Sequence, residues 1–135
     1  MDMKTRPVNT HLYTNYVKKA AECLESAEAA YLKNNWNSTV INSIHSAISA
    51  SDALLVFFKG VRSAGESHED AISLLRTLDF GKEEISNKAR QLQRLLQIKN
   101  SAEYEEKLMS QQDAENALRD AERFFGWAKE KLGLK

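Results

Sequence analysis

The sequence predicts an all-α fold, an up-and-down bundle of four long helices plus one short helix. The first observation is that proline occurs once, at Pro7, and that residues 8–59 contain neither proline nor glycine. Because an interior proline costs a helix about 3 kcal/mol and a glycine about 1 kcal/mol, such a stretch favours long helices. The second observation is that apolar residues recur at spacings of three and four through most of the chain. That period is typical of helices with one buried face.

Length and composition describe one globular domain. The chain has 135 residues, of which 42% are apolar and 28% charged, and this balance is typical of a folded domain. We expect residues 1–9 to form a frayed N-terminal arm and residues 10–135 to form a single helical domain. The 19 basic and 19 acidic side chains give a formal net charge of zero. Any contact with RNA or DNA therefore requires a local basic patch.

Three features of the sequence indicate a cytoplasmic protein. Cys23 is the only cysteine, so an intrachain disulfide is excluded, as fits a reducing compartment. The N-terminal residues lack the apolar core of a signal peptide. No run approaches the roughly 20 apolar residues that a membrane span needs, so we expect no membrane contact.

The first predicted helix covers residues 10–33, and Asn34 and Asn35 end it because asparagine tolerates left-handed geometry. Its buried face steps by three and four through Tyr13, Val17, Ala20, Leu24, Ala27 and Tyr31. Such a stripe predicts that this helix lies against the bundle along its whole length.

The second predicted helix covers residues 37–58, with Asn37 or Ser38 as its N-cap and Gly60 beyond its end. Its apolar arc is broad and predicts a central position in the bundle; the arc is formed by Ile41, Ile44, Ala47, Ile48, Leu54, Leu55 and Phe58. One polar line remains at helical spacing, formed by Ser38, Asn42, His45, Ser49 and Asp52.

The short third helix is predicted to start at Ser67 with Asp70 three residues later, in the manner of a capping box. Its core face is Ala71, Leu74, Leu75 and Leu78. A second serine with an acid three residues on, at Ser110 and Asp113, predicts the start of the last helix. The apolar stripe of that helix is Ala114, Ala117, Leu118, Ala121, Phe124, Phe125, Ala128 and Leu132.

The fourth predicted helix begins near Lys82 and runs without a break through residues 88–107. Its apolar stripe is Leu92, Leu95, Leu96 and Ala102. The stripe ends in a polar cluster formed by Lys99, Asn100, Ser101, Glu103 and Tyr104. Such a cluster marks either the edge of a core, with Lys99 and Glu103 as an exposed ion pair contributing about 0.3 kcal/mol, or a binding site.

Neither a metal site nor a cofactor site is expected from the motifs. The three histidines, His11, His45 and His68, are far apart in sequence and form no paired ligand spacing. The chain has no glycine-rich phosphate loop and no Gly-x-Ser-x-Gly sequence. The polar line of the second helix is then either a solvated face or the wall of a cleft. In a cleft, His45 would be its one group titrating near neutral pH.

Several segments taken together resemble the HEPN domain, the higher eukaryotes and prokaryotes nucleotide-binding fold. The segments that carry this resemblance are Asn42–Ala47, Ala53–Leu55, Ser67–Glu69, Leu92–Lys99, Ala102–Tyr104, Ser110, Ala114 and the pair Ala121 and Phe124. They follow one another in the order and spacing of the family pattern across most of the chain.

The resemblance implies a compact helical domain that is often a homodimer. Many members are metal-independent ribonucleases of toxin–antitoxin or antiviral systems, and many are encoded beside a small nucleotidyltransferase partner. In the nuclease members an arginine is followed after four to six residues by a histidine. The dimer brings two copies of that motif into one cleft.

This chain departs from the nuclease motif at both ends. Lys99 stands where the arginine is expected, Tyr104 stands where the histidine could be, and residues 69–135 contain no histidine. A tyrosine is a poor general base near pH 7, and lysine lacks the bidentate fork of arginine. Loss of the acid–base group costs on the order of a hundredfold in rate or more. On an unbroken helix Lys99 and Tyr104 also point about 140° apart, so they would meet only through a kink or across a dimer seam.

The favoured interpretation is a HEPN-like homodimer with little or no nuclease activity. It would bind nucleotide, RNA or a nucleotidyltransferase partner, as a component of a toxin–antitoxin system, through Lys99, Asn100, Glu103, Tyr104, Asn42 and His45. Tyr104 would be able to accept a modification from such a partner, as a tyrosine beside the motif does in some toxin members. Two alternatives remain open: an active metal-independent ribonuclease in which His45 or His68 replaces the missing histidine, and a structural helical adaptor.

Overall fold

The computed structural model describes residues 4–64 and 68–135 and confirms the all-α prediction. The long helices are α1 (Tyr13–Leu32), α2 (Trp36–Lys59), α4 (Lys82–Gln97) and α6 (Gln111–Lys131). The shorter helices are α3 (His68–Leu75) and α5 (Lys99–Tyr104), and a 3₁₀ turn at Thr10–Leu12 precedes α1. Ser67, predicted to cap the third helix, lies outside the described residues.

Helix α2 is the centre of the bundle, as its broad apolar arc predicts. It packs against α1 along its length and against α6 on another side. Its buried apolar side chains are Val40, Ile44, Ala47, Ala50, Ala53, Leu54, Leu55 and Val56. Phe58 was expected in this core, but its side chain is 42% exposed, because it lies on the last turn of α2 and packs edge-on against Phe57 and Phe80.

A two-stranded sheet replaces the expected frayed arm. Strand β1 (Thr5–Pro7) pairs antiparallel with β2 (Val61–Ser63), and Arg6 lies opposite Arg62 in the register. The Val8 amide also donates a hydrogen bond of 2.8 Å to the Gly60 carbonyl. Residues 5–8 are therefore held by backbone hydrogen bonds, and the expectation that they fray is wrong. The pairing fixes the course of the chain directly after α2.

The helix ends follow local sequence chemistry at most positions. Asn34 adopts a left-handed φ of 61° after α1, and Gly60 adopts a left-handed φ of 68° after α2, as predicted for those two stops. Ser110 and Asp113 form a complete capping box at the start of α6, with both side chain to backbone hydrogen bonds present. This confirms the predicted start of the last helix.

The predicted cap of α2 is wrong. The helix starts at Trp36, and its N-cap Asn35 makes no side-chain cap hydrogen bond. The Asn37 side chain instead accepts a hydrogen bond of 2.7 Å from the Met109 amide. Asn37 thus ties the start of α2 to the segment before α6, because a distant backbone donor takes the place of a local one.

The predicted single helix over residues 88–107 is broken. Helix α4 ends at Gln97, Ile98 has φ −94° and ψ −1°, and α5 ends at Tyr104. Ile98 and Ala102 are partly buried and pack against the core. The interruption lies where the chain meets α2, so tertiary packing decides the direction of α5.

Two ion pairs join α4 to α6. The Arg94 guanidinium donates to both carboxylate oxygens of the buried Asp120, at 3.1 and 3.0 Å. Near the other end of this interface, Glu84 accepts from the Trp127 indole at 2.8 Å and from Lys131 at 2.6 Å. These contacts fix the register of the two helices around their shared apolar face.

Helix α2 also meets the length and composition required of a membrane span, which was not expected of any segment. It has 24 residues, and the most apolar window has a mean hydropathy of 1.4. Within the bundle, 61% of that window is buried, as expected for the central helix of a globular core.

Candidate functional site

Glu103 on α5 connects two side chains of the predicted site. One of its carboxylate oxygens lies 2.8 Å from His45 Nε2 on α2, and the other accepts from Lys99 Nζ at 3.1 Å. Only 12% of the Glu103 side chain and 22% of the Lys99 side chain are exposed. The pair is therefore not the exposed surface pair that one interpretation of the sequence describes.

The ionisation of Glu103 reflects this position. Burial alone would raise the pKa of the Glu103 carboxyl, but the hydrogen bond and charge of Lys99, together with His45, outweigh burial and lower it. Since an acid with a lowered pKa stays ionised at neutral pH, Glu103 holds both neighbours as a carboxylate.

Lys99 and Tyr104 are in contact. The Lys99 ammonium lies 5.7 Å from the centroid of the Tyr104 ring, within the range of a cation–π interaction. The two side chains were expected to meet only through a kink or across a dimer seam, because they point about 140° apart on a helix. The break at Ile98 precedes both residues, so it does not bring them together. The contact forms because the lysine side chain is long enough to reach the ring. Tyr104 ends α5, and 74% of its side chain is exposed.

A cavity of about 670 Å³ opens beside this group, within the range typical of small-molecule sites. Its floor is apolar, formed by Ile48, Leu55, Ala71, Leu92 and Leu96. Its polar lining comes from four elements of the fold and consists of Ser51, Asp52, Arg62, Ser63, His68, Lys99, Asn100 and Tyr104. An apolar floor with convergent polar groups is typical of a ligand site.

The structure separates the predicted site residues into two groups. Lys99, Asn100 and Tyr104 line the cavity, whereas His45 and Glu103 lie next to it and reach it through Lys99. Asn42 belongs to neither group, because its amide donates back to the Ser38 carbonyl at 2.9 Å. Its predicted role in binding is not supported by this geometry.

Four further polar residues of the lining come from other parts of the chain. His68, considered for the site only as a substitute for the missing histidine, opens α3 and lines the cavity. Arg62 and Ser63 were not predicted, because strand pairing with Thr5–Pro7 places them there and periodicity carries no signal of that pairing. Asp52 belongs to the predicted polar line of α2, and its helical spacing from His45 and Ser49 was the sequence signal that could have placed it in the site.

Asp52 is the acidic group among the described residues of the cavity lining. Burial raises the pKa of its carboxyl to about 6, against the opposing charges of Arg62 and Lys19. The Asp52 side chain makes no hydrogen bond within residues 4–64 and 68–135. Its carboxyl therefore belongs to the cavity lining without a hydrogen-bond donor from the described residues.

Arg62 and Ser63 also carry unused hydrogen-bonding capacity. The Arg62 guanidinium makes no hydrogen bond and no ion pair within the described ranges, although its charge acts on the nearby Asp52 carboxyl. The buried Ser63 hydroxyl has no hydrogen-bond partner there. A guanidinium without a bound carboxylate, on a concave surface, is suited to a phosphate or carboxylate ligand.

Metal binding has no support in the arrangement of side chains. Within residues 4–64 and 68–135, no group of three or more histidine, cysteine, aspartate or glutamate side chains is close enough to hold a metal ion. The described residues of the lining supply cationic groups, one carboxyl and an aromatic ring.

Comparison with known families gives a match that covers most of the chain. The family model described as HEPN domain matches residues 13–132. These residues span the chain from the start of α1 to just beyond the end of α6. No curated protein matches the chain.

Proposed function

The chain belongs to the HEPN domain family, and we propose that it binds a nucleotide, free or within RNA, in the cavity beside α5, with little or no nuclease activity. The observation that carries this proposal is the convergence of Arg62, His68 and Lys99 on one concave surface with Tyr104 at its edge. The whole chain has no net charge, so this local group supplies the basic patch that phosphate binding requires.

Each side chain has a role in this proposal. Arg62 makes no ion pair among the described residues, so its guanidinium is available to bind a phosphate through two hydrogen bonds. Tyr104 is largely exposed and offers a ring on which a base can stack. Lys99 adds positive charge, although Glu103 balances part of it.

The weak nuclease activity in this proposal follows from the chemistry of the motif positions. Tyr104 takes the place of the family histidine, and a tyrosine hydroxyl is a poor proton acceptor at neutral pH. Lys99 is held by Glu103 at 3.1 Å, which reduces its capacity to stabilise additional negative charge on a reacting phosphate.

Binding of a short fluorescent RNA, measured by anisotropy across a range of salt concentrations, tests the proposal. We expect Arg62→Ala to weaken binding about tenfold and to reduce the salt slope by about one. Arg90→Ala is the matched control, because Arg90 is an exposed arginine on α4 away from the cavity lining. Equal loss in both variants, or no binding by the unmodified chain, would contradict the proposal.

A ribonuclease is the second candidate, and the pairing of His45 with Glu103 at 2.8 Å favours it. A carboxylate hydrogen-bonded to an imidazole orients the ring, as a general acid or base requires. Incubation of labelled RNA with a metal chelator decides between the two candidates. Sustained cleavage that is lost in Lys99→Ala, and in either His45→Ala or His68→Ala, would show that the protein is a ribonuclease.

We also propose that the chain forms a homodimer through the edge at the end of α5. Tyr104 and Leu108 are each 74% exposed there, and exposed large apolar side chains are stabilised by burial against a second copy. Light scattering should give twice the chain mass of 15.3 kDa. Leu108→Asp should produce a monomer, whereas Leu134→Asp, at an exposed leucine near the C-terminus, should not. A monomeric unmodified chain would exclude this assembly.

The exposed Tyr104 hydroxyl supports a further proposal, that a nucleotidyltransferase partner modifies it within a toxin–antitoxin pair. Incubation with a nucleotidyltransferase encoded beside this chain and a nucleoside triphosphate should add one nucleotide mass, measured by intact mass spectrometry. Tyr104→Phe should remove the added mass and Tyr13→Phe should not. If neither modification nor RNA binding is found, the structural adaptor is the remaining interpretation.

A further inference from the structure

The cavity carries a recognition element that phosphate binding leaves unused, the carboxyl of Asp52. It lies in the same lining as Arg62 and Lys99, which are complementary to an anion, whereas a carboxylate repels one. Its oxygens accept no hydrogen bond from residues 4–64 and 68–135. A ligand that fits the complete lining therefore brings hydrogen-bond donors as well as negative charge.

The donors that suit a carboxylate can be identified among the standard bases. Two carboxylate oxygens accept best from two adjacent N–H groups, in the bidentate manner. Guanine presents such a pair on its Watson–Crick edge, the N1–H and the N2 amino group. On that edge adenine and cytosine place one donor beside one acceptor, and uracil presents a single donor between two acceptors.

We propose that the cavity is selective for guanine, with Asp52 accepting hydrogen bonds from guanine N1–H and N2–H while Arg62 and Lys99 face the phosphate. This inference rests on the proposed function, since it names the base of the nucleotide bound there. The Ser63 hydroxyl, buried in the same lining without a partner among the described residues, supplies one further donor and acceptor for the ligand.

The pH dependence of the selectivity follows from the charge of Asp52. The charged or titratable groups around it are Arg62 on β2, Lys19 on α1, His68 on α3 and Lys99 on α5. The pKa of Asp52 is about 6, so the group is a carboxylate at pH 7.5 and mostly a neutral acid at pH 5. A neutral acid offers one donor and one acceptor, which matches adenine better than guanine.

The ratio of GMP affinity to AMP affinity isolates this effect. Both ligands carry the same phosphate, so contributions of Lys19, Arg62, His68 and Lys99 to phosphate binding cancel in the ratio. Equilibrium dialysis at pH 7.5 should give GMP binding at least about tenfold tighter than AMP binding, the size expected of one bidentate contact. IMP, which lacks the N2 amino group, should bind more weakly than GMP, and the GMP preference should fall at pH 5.

Asp52→Asn tests the residue directly, because an amide has the same shape but a single acceptor oxygen. The preference for GMP should be lost in Asp52→Asn and retained in Asp79→Asn, at an exposed aspartate outside the cavity lining. Short RNAs that differ in a single guanine or adenine distinguish the source of the base. Discrimination between those RNAs shows that the cavity reads a base in a chain, and discrimination between free nucleotides alone shows a mononucleotide site.

The outcomes separate this inference from the proposed function. Equal binding of GMP and AMP would overturn guanine selectivity and leave nucleotide binding in place. A GMP preference that survives Asp52→Asn would also overturn it, because the base would then be read by another residue. No measurable binding of any nucleotide or RNA would overturn both.

Discussion

His45 on α2 and Glu103 on α5 are joined by a contact of 2.8 Å across 58 residues of sequence. Helix α5 has six residues, too few to be stable by itself in water. Its position therefore depends on contacts with the bundle, and the Glu103 carboxylate provides two of them, to His45 and to Lys99. One acid thus holds the helix that brings Lys99 and Tyr104 to the cavity.

Glu103→Gln should lower the free energy of unfolding by about 1 kcal/mol at pH 7, since it removes a partly buried charge from two partners. The pKa of Glu103 is lowered from its ordinary value of 4.5. Stability from this carboxylate is therefore present above pH 4.5 and is lost as the pH falls through the lowered pKa. Urea unfolding of both proteins at a series of pH values should show the difference shrinking in acid. Glu106→Gln, at an exposed neighbour, is the control, and an unchanged Glu103→Gln midpoint at pH 7 would refute the coupling.

Asp52→Asn should raise the free energy of unfolding at pH 7.5, by on the order of 2 kcal/mol. The pKa of Asp52 is raised from 3.8 to about 6 in the folded chain, so the folded state binds the proton more tightly than the unfolded state. The unmodified chain therefore loses stability as the pH rises from 3.8 to about 6, and the variant does not. Thermal unfolding at pH 4 and pH 7.5 measures the stability difference between the unmodified chain and Asp52→Asn. Equal stability of the two proteins at both values would show that the Asp52 carboxyl is well solvated.

Arg94→Leu should destabilise the chain by about 2 kcal/mol, because it leaves the carboxylate of the buried Asp120 without its bidentate partner. The double variant Arg94→Leu, Asp120→Asn should recover part of the loss, since the unpaired charge is then removed as well. Urea unfolding gives both values. Arg90→Leu, on the same helix but exposed, should have a small effect, and a loss as large as that of Arg94→Leu would point to the arginine stem instead of the ion pair.

Ser110→Ala should cost about 1 kcal/mol by removing the hydrogen bond that the Ser110 hydroxyl accepts from the Asp113 amide. The melting temperature should fall by several degrees for a domain of this size. Ser26→Ala, in the exposed middle of α1, should be neutral or slightly stabilising because alanine is the better helix former. If Ser110→Ala and Ser26→Ala have the same melting temperature, the capping box contributes little to stability.

The features that were predicted correctly are those encoded within one short segment. The Ser110 cap, the Asn34 stop and the stripe of α6 each depend on residues within a few positions of one another, so sequence spacing is sufficient to find them. Asn37 shows where this fails, because its position suits a local cap but its side chain accepts a hydrogen bond from the distant Met109 amide. The sequence alone does not show whether the Asn37 side chain bonds an amide of its own helix or the Met109 amide.

The candidate site was predicted in its helical part alone. Lys99, Asn100 and Tyr104 share one predicted segment and line the cavity. Arg62 reaches the cavity through a strand pair with Thr5–Pro7, which lie before α1 and more than 50 residues away in sequence. The break at Ile98 could not be predicted either, because the helical spacing of apolar residues continues across it. Both misses concern long-range contacts, which a periodic pattern does not encode.

The pairing of Arg6 with Arg62 has a practical meaning for anyone trimming this protein to its family-matched portion. The match begins at residue 13. A chain that starts there would lack Thr5–Pro7, the strand whose pairing keeps Val61–Ser63 extended. Such a shortened chain would keep every α-helix and yet lose the support of one wall of the cavity. The family match is therefore narrower than the set of residues that shape the cavity.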